Sequence, residues 1–213
     1  MARITKGILG GFSGKVGTIV GANWRGQDII RSIPKPSNRP PSEKQQLQQE
    51  KFKMVIAFLQ PLKSIQTKYF GSGSGSKSRV NMAVSYTISE AVQMAGDVPE
   101  LVYNKVLITK GDLTGFQNMT AAPQTGNIIR LNWENNSTQG NAAETDSVNV
   151  ICYCEELDRF EVFESVAVRT DLTKEVTLPT AYAGKEVQVW SYLHNAKGTS
   201  ASNSVHIGAV TIV

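Results

Sequence analysis

The chain has 213 residues, 40% of them hydrophobic, with 22 Lys and Arg against 18 Asp and Glu, 18 Gly, 8 Pro and 2 Cys. That length allows one large domain or two small ones, and the apolar content excludes wholesale disorder. Two cysteines exclude a disulfide-dense scaffold, and no stretch approaches the roughly 20 apolar residues of a membrane helix. The opening Met1–Gly7 lacks an apolar signal-peptide core, so the expectation is a cytoplasmic or virion-associated protein without membrane insertion.

The charge is unevenly spread. Residues 1–90 hold 14 Lys and Arg and 4 Asp and Glu, a net +10, whereas residues 91–213 hold 8 and 14, a net −6. Opposite halves give a chain a reason to associate head to tail. The basic half also suits nucleic acid, whose phosphates attract cations without regard to sequence, but any single Lys is more simply a solvated surface charge.

Residues 7–33 read as a glycine-rich β segment, punctuated by Gly7, Gly10, Gly11, Gly14, Gly17, Gly21 and Gly26. Alternation places Val16, Thr18, Val20, Ala22 and Trp24 on one face and Gly17, Ile19 and Gly21 on the other. Glycines there leave room for another backbone. A turn over 23–28 returns the chain through Gln27–Ile33 as a hairpin. An isolated two-stranded hairpin is marginal in water, so this ribbon is expected to need support from elsewhere.

Residues 34–41 form a stiff Pro-rich linker. Ser42 and Gln45 fit a capping box, and Leu47, Phe52, Val55, Phe58, Leu59, Leu62 and Ile65 recur at helical spacing. Pro61 inside that pattern predicts a break. Gly71–Ser76 is a flexible polar linker. A second helix is predicted over 78–95, with Gly96 as its C-cap, and a short strand over 103–109. From about Asn118, short alternating strands recur every eight to twelve positions: Ile129, Leu131 and Trp133, then Val148, Val150, Cys152 and Cys154, then Phe160–Phe163, Val176 with Leu178, Val187 with Val189, and Val205 with Ile207. Some seven strands in this span predict an immunoglobulin-like sandwich.

The motifs Ile129–Trp133, Ser147–Tyr153, Val187–Gly198 and Ser200–Ser204 resemble a fibronectin type III domain. In that family an early-strand Trp sits in the core, and a late strand ends in an Asn-x-x-Gly turn before a Ser-rich final strand. Trp133, Asn195, Gly198 and Ser202 to Ser204 match in kind and order, while Val187 stands where the family usually has Tyr, which implies a divergent member over 118–213. The N-terminal half is similar to an uncharacterised bacterial family of unknown function, through Gly14–Gly17, Trp24–Gly26, Arg31 with Pro34, and Pro41–Gln45. The same run of Arg, Pro, linker and Pro-capped helix resembles segments of some phage head and tail proteins. No catalytic residue follows from these resemblances.

The residues that carry chemistry are few. His194 and His206 are the two histidines, and neither lies in a motif that pairs it with a nucleophile. Cys152 and Cys154 share a strand face, and two cysteines alone are a poor zinc site, so small buried apolar side chains are the expectation. Glu155, Glu156 and Asp158 lack the ligand spacing of a calcium loop, so a solvated turn is the expectation. Gly10–Lys15 lacks the spacing of a phosphate loop, and Val16 stands where that loop needs Ser or Thr. Trp24 and Arg25 with Lys15 and Arg31 mix an aromatic with cations, which a Trp on a hairpin with solvated charges explains before single-stranded nucleic acid does.

The expectation is therefore an α+β protein: an N-terminal Gly-rich β hairpin with a helical pair over 1–117, then an all-β immunoglobulin-like sandwich over 118–213. No catalytic, metal or cofactor site is expected. The functional expectation is a non-enzymatic structural protein, a virion or virion-like component, that meets copies of itself or other structural proteins through its N-terminal arm. The expected interface is Val16, Val20, Trp24, Arg25, Ile29, Ile30, Arg31 and Ile33. The competing expectation is an adhesive module that recognises a glycan or protein through the sandwich loops, a choice that fold alone does not make.

Overall fold

The computed structural model describes residues 2–3, 11–24, 26–35, 40–72 and 77–213. Gly7, Gly10, Arg25, positions 36–39 of the Pro-rich linker and positions 73–76 of the Gly-Ser linker lie outside them. The chain is a mixed helix and strand protein with several antiparallel sheets. It divides into two compact units, Met1–Glu43 and Lys44–Val213.

The first unit is a four-stranded antiparallel sheet made of β1 (Ala2–Arg3), β2 (Gly14–Val16), β3 (Ile19–Trp24) and β4 (Gln27–Ser32), in the order β1-β4-β3-β2. Residues 16–24 do not form one continuous strand. Gly17, with φ of 58°, opens a two-residue turn that folds β2 back on β3, so that Val16 pairs with Ile19 and Gly14 with Gly21. A positive φ is the conformation only glycine adopts without cost. The turn reverses the expected facing of Val16: it shares a face with Ile19, while Val20, Ala22 and Trp24 lie on the other.

Helix α1 (Glu43–Leu59) follows Ser42 directly and, from Lys44 on, opens the second unit. Pro61 breaks the helix as its missing N–H demands: a 3₁₀ turn over Gln60–Leu62 separates α1 from α2 (Lys63–Tyr69). The third helix, α3 (Arg79–Glu90), is capped by the Ser78 hydroxyl, which accepts from the Asn81 N–H at 3.2 Å. It ends five residues short of the predicted limit. Val92–Ala95 (β5) instead pairs with Val98–Leu101 (β6), and Gly96, at φ 65°, serves the hairpin turn and not a helix cap. Residues 103–109 form a 3₁₀ turn over Tyr103–Lys105 and an irregular run in place of the predicted strand.

Seven further strands follow: β7 (Gln117–Gln124), β8 (Ile128–Glu134), β9 (Ser147–Cys154), β10 (Arg159–Val168), β11 (Thr173–Thr177), β12 (Glu186–His194) and β13 (Val205–Thr211). They form a three-stranded sheet, β11-β8-β7, and a four-stranded sheet, β10-β9-β12-β13. Ile129, Leu131 and Trp133 from the first and Val148, Val150, Cys152, Val187 and Val189 from the second share one core. The side chains that point the other way from β9 and β12 are equally buried. Ile151, Tyr153, Trp190 and Tyr192 pack with Phe58, Leu59, Leu62 and Ile65 of the helical segment. The helices are therefore a third layer on the four-stranded sheet, because a sheet face this apolar must be covered. That packing is why the helices divide from the ribbon and join the strands.

Candidate functional site

The residues expected to form an interface all belong to the N-terminal sheet. The ladder pairs Lys15 with Val20 and Val20 with Arg31, and it pairs Ala22 with Ile29 and Trp24 with Gln27. One face thus carries Lys15, Val20, Trp24, Ile29 and Arg31; the other carries Val16, Ile19, Gly21 and Ile30. Ile33 lies just beyond β4, its N–H donating to the Thr18 carbonyl at 3.1 Å, and Arg25 lies outside the described residues. Ile29 is buried at 8% exposure, and Val20, Ile30 and Ile33 are half-buried. Val16 at 58%, Ile19 at 36% and Trp24 at 48% face solvent.

Gly21 shows why this sequence needs glycine. A Cβ there would stand 2.3 Å from the Phe12 carbonyl oxygen and 2.6 Å from its ring. The room that glycine leaves is filled by Phe12 of the same chain. The β3–β4 turn is tied by Asn23, whose amide nitrogen donates to Asp28 at 2.9 Å and whose oxygen accepts from the Gly26 N–H at 3.1 Å. Residues 1–43 hold 7 Lys and Arg against 2 Asp and Glu, whereas residues 44–213 hold 15 against 16. The positive excess therefore resides in residues 1–43, with Lys15 and Arg31 both exposed on the sheet.

The larger unit contains a cleft of about 460 Å³ between α1, β6 and the β9–β10 turn. Met54, Ala57 and Leu101 give it apolar walls. Phe58, Tyr103 and Tyr153 stand at its base, with ring centroids 5.0 to 6.1 Å apart. Its polar side is acidic, from Glu100, Glu155 and Asp158. The Tyr153 hydroxyl donates to Asp158 Oδ1 at 3.1 Å, and Glu155 lines the cleft with Tyr103. Burial first, and these carboxylates second, push both tyrosine hydroxyls well above their ordinary pKa. No Lys or Arg lines the cleft among the described residues. Sequence reading took Glu155 to Asp158 for a solvated turn; the aromatic residues that complete the cleft lie far off in the chain.

The remaining polar groups are structural in geometry. Cys152 and Cys154 are buried free thiols, and burial pushes the Cys152 thiol up to about 12. Among the described residues no three His, Cys, Asp or Glu side chains gather as a metal site, and no helix is long and apolar enough to cross a membrane. One pair escaped the sequence reading. Ser165 sits at φ 52° where the β9–β10 register shifts, and its hydroxyl lies 3.3 Å from His194 Nε2. His194 Nδ1 donates to the Asn195 carbonyl at 2.8 Å, which leaves Nε2 as the acceptor. The hollow beside this pair holds about 30 Å³, room for a water and not for an acyl substrate. The bulge is filled by Asn149, whose side-chain oxygen accepts from the Ser165 N–H at 3.0 Å.

The family of unknown function DUF6266 matches over residues 11–208, and the chain belongs to that family. Among solved structures, it is similar to the FN5 domain of Drosophila Lar at 14% identity, with a TM-score of 0.32, over 48% of this chain and 96% of that one. It is similar at the same identity to the fn3 domain of the human collagen alpha-1(XX) chain, with a TM-score of 0.35, over 46% of this chain and 85% of that one. No curated protein matches it.

Proposed function

We propose that this chain is a non-enzymatic assembly component that forms oligomers through its N-terminal sheet, displayed by a body whose two β layers are fibronectin type III-like. The observation that carries the reading is the poverty of that sheet. It forms a unit of its own, and among its described residues Ile29 is the one large apolar side chain that is buried, while Val16, Ile19 and Trp24 are exposed. A chain of some 40 residues usually needs metal, disulfides or association to stand. The fibronectin type III-like reading is supported by seven antiparallel strands split three and four, in the order β11-β8-β7 and β10-β9-β12-β13.

The test is the mass of the full chain in solution. The wild type is expected to be oligomeric at micromolar concentration in low salt. Val16→Lys with Ile19→Lys, which places charge at two exposed positions of the first unit, is expected to yield monomers. A monomeric wild type overturns the reading.

A further inference from the structure

The acidic cleft is the complement of the basic sheet. We propose that the cleft between α1 and the β9–β10 turn is the acceptor for Arg31 of a second copy of this chain, a proposal that rests on the assembly reading above. Three observations converge on a basic side chain as the occupant. Glu155 and Asp158 line the cleft, and neither takes part in an ion pair among the described residues; the pairs present are Arg130 with Glu175, Arg169 with Asp146 and Lys185 with Glu156. Tyr153 fixes the Asp158 carboxylate by donating to it at 3.1 Å, and Glu155 lines the same cleft beside Tyr103. The opposite walls, Met54, Ala57 and Leu101, are apolar. An alkyl stem with a cationic head matches that division: the methylenes cover apolar surface and the head meets carboxylates. Guanidinium suits it better than ammonium, because it is planar, weakly hydrated, and able to serve two carboxylates and an aromatic ring together.

Charge decides whose side chain it is. The cleft lies in a unit with no positive excess, whereas residues 1–43 carry 7 cations against 2 anions. Arg31 is exposed on the sheet face that also carries Lys15, one strand beyond Val20 on the other side. A donor on one unit and an acceptor on another make a heterologous contact, which propagates from copy to copy instead of closing a symmetric pair.

Such a contact has a signature that face-to-face pairing of two sheets lacks. Glu155→Gln with Asp158→Asn removes the acceptor charge while keeping a hydrogen-bond acceptor for Tyr153; Asn tolerates the φ of 44° at position 158. Arg31→Glu removes the donor in a separate unit of the chain, so a folding failure of one variant leaves the other informative. Each variant alone, with wild-type melting behaviour, is expected to self-associate at least tenfold more weakly in sedimentation velocity. Mixed together, they are expected to form a 1:1 heterodimer, because one keeps the donor and the other the acceptor. Wild-type association by Glu155→Gln/Asp158→Asn overturns this assignment and leaves assembly through the sheet standing. A hexa-arginine peptide that binds the cleft while Arg31→Glu assembles normally gives the cleft to a different basic partner and also overturns it. A monomeric wild type overturns both proposals.

Discussion

The guanidinium of Arg169 and the carboxylate of Asp146 meet at 2.9 Å, Nη2 to Oδ2, with side-chain exposures of 0% and 1%. Arg169 also donates to the carbonyls of Thr114 at 2.7 Å and Gly115 at 3.2 Å, and to the side chain of Asn136. Its own carbonyl accepts from the Trp133 indole at 2.8 Å. One buried cation thus gathers the chain entering β7, the loop after β8 and the residue before β9.

Removing Asp146 leaves the buried Arg169 charge without its counterion. Asp146→Ala is expected to cost about 3–5 kcal/mol in urea unfolding. Arg130→Ala, which breaks the exposed pair with Glu175 at 2.5 Å, is expected to cost less than about 1 kcal/mol. Equal costs for the two would contradict the claim that burial separates them.

Phe58 joins the helical layer to the sheet. Its ring lies 5.0 Å from both Tyr153 and Phe160 and 6.3 Å from Trp190, each edge-on. Phe58→Ala opens a cavity where no neighbour can collapse easily, and about 3–5 kcal/mol of stability is the expected loss, with a matching drop in near-ultraviolet circular dichroism. A change within about 0.5 kcal/mol, the range of ordinary surface substitutions, would show that the helices are not a structural layer.

His206 links stability to pH. Burial lowers its pKa below the ordinary 6.5, and its ring packs on Trp190 at 4.9 Å with Nε2 2.9 Å from Gln188. The unfolded chain then binds the proton more readily than the folded one. The contribution is therefore complete above pH 6.5 and is lost as pH falls below it. His206→Gln is expected to flatten the fall in urea midpoint between about pH 6.5 and pH 5; an unchanged slope would assign the dependence to other groups.

Gly21 tests whether the two units are energetically separate. Gly21→Val drives a side chain into the Phe12 carbonyl, which a Cβ would already meet at 2.3 Å. It is expected to abolish oligomers by size-exclusion chromatography while the main calorimetric transition stays in place. A shift of that transition by several degrees would show that the sheet stabilises the rest of the chain.

The β strands were legible because their alternation is local: Ile129, Leu131 and Trp133 all reach the shared core. What covers the far side of the sheet was also written in the sequence, though less plainly. Strand β9 is buried from Val148 to Cys154 on both faces, and a run such as Val-Ile-Cys-Tyr-Cys carries no exposed face. That run could have drawn the helices onto the sheet. The hairpin after α3 was hidden because Val92 and Ala95 also fit the helical spacing, and Gly96-Asp97 is a two-residue turn signal that only register decides. The cleft was not legible at all, since α1, β6, Tyr103 and the β9–β10 turn meet only in the folded chain.

Sedimentation equilibrium of the intact wild-type chain, at micromolar concentration in low salt, bears most directly on the role given to the N-terminal sheet. A mass of two or more copies that falls to one with Val16→Lys and Ile19→Lys is the predicted result. A single 23.2 kDa species for the wild type would contradict it.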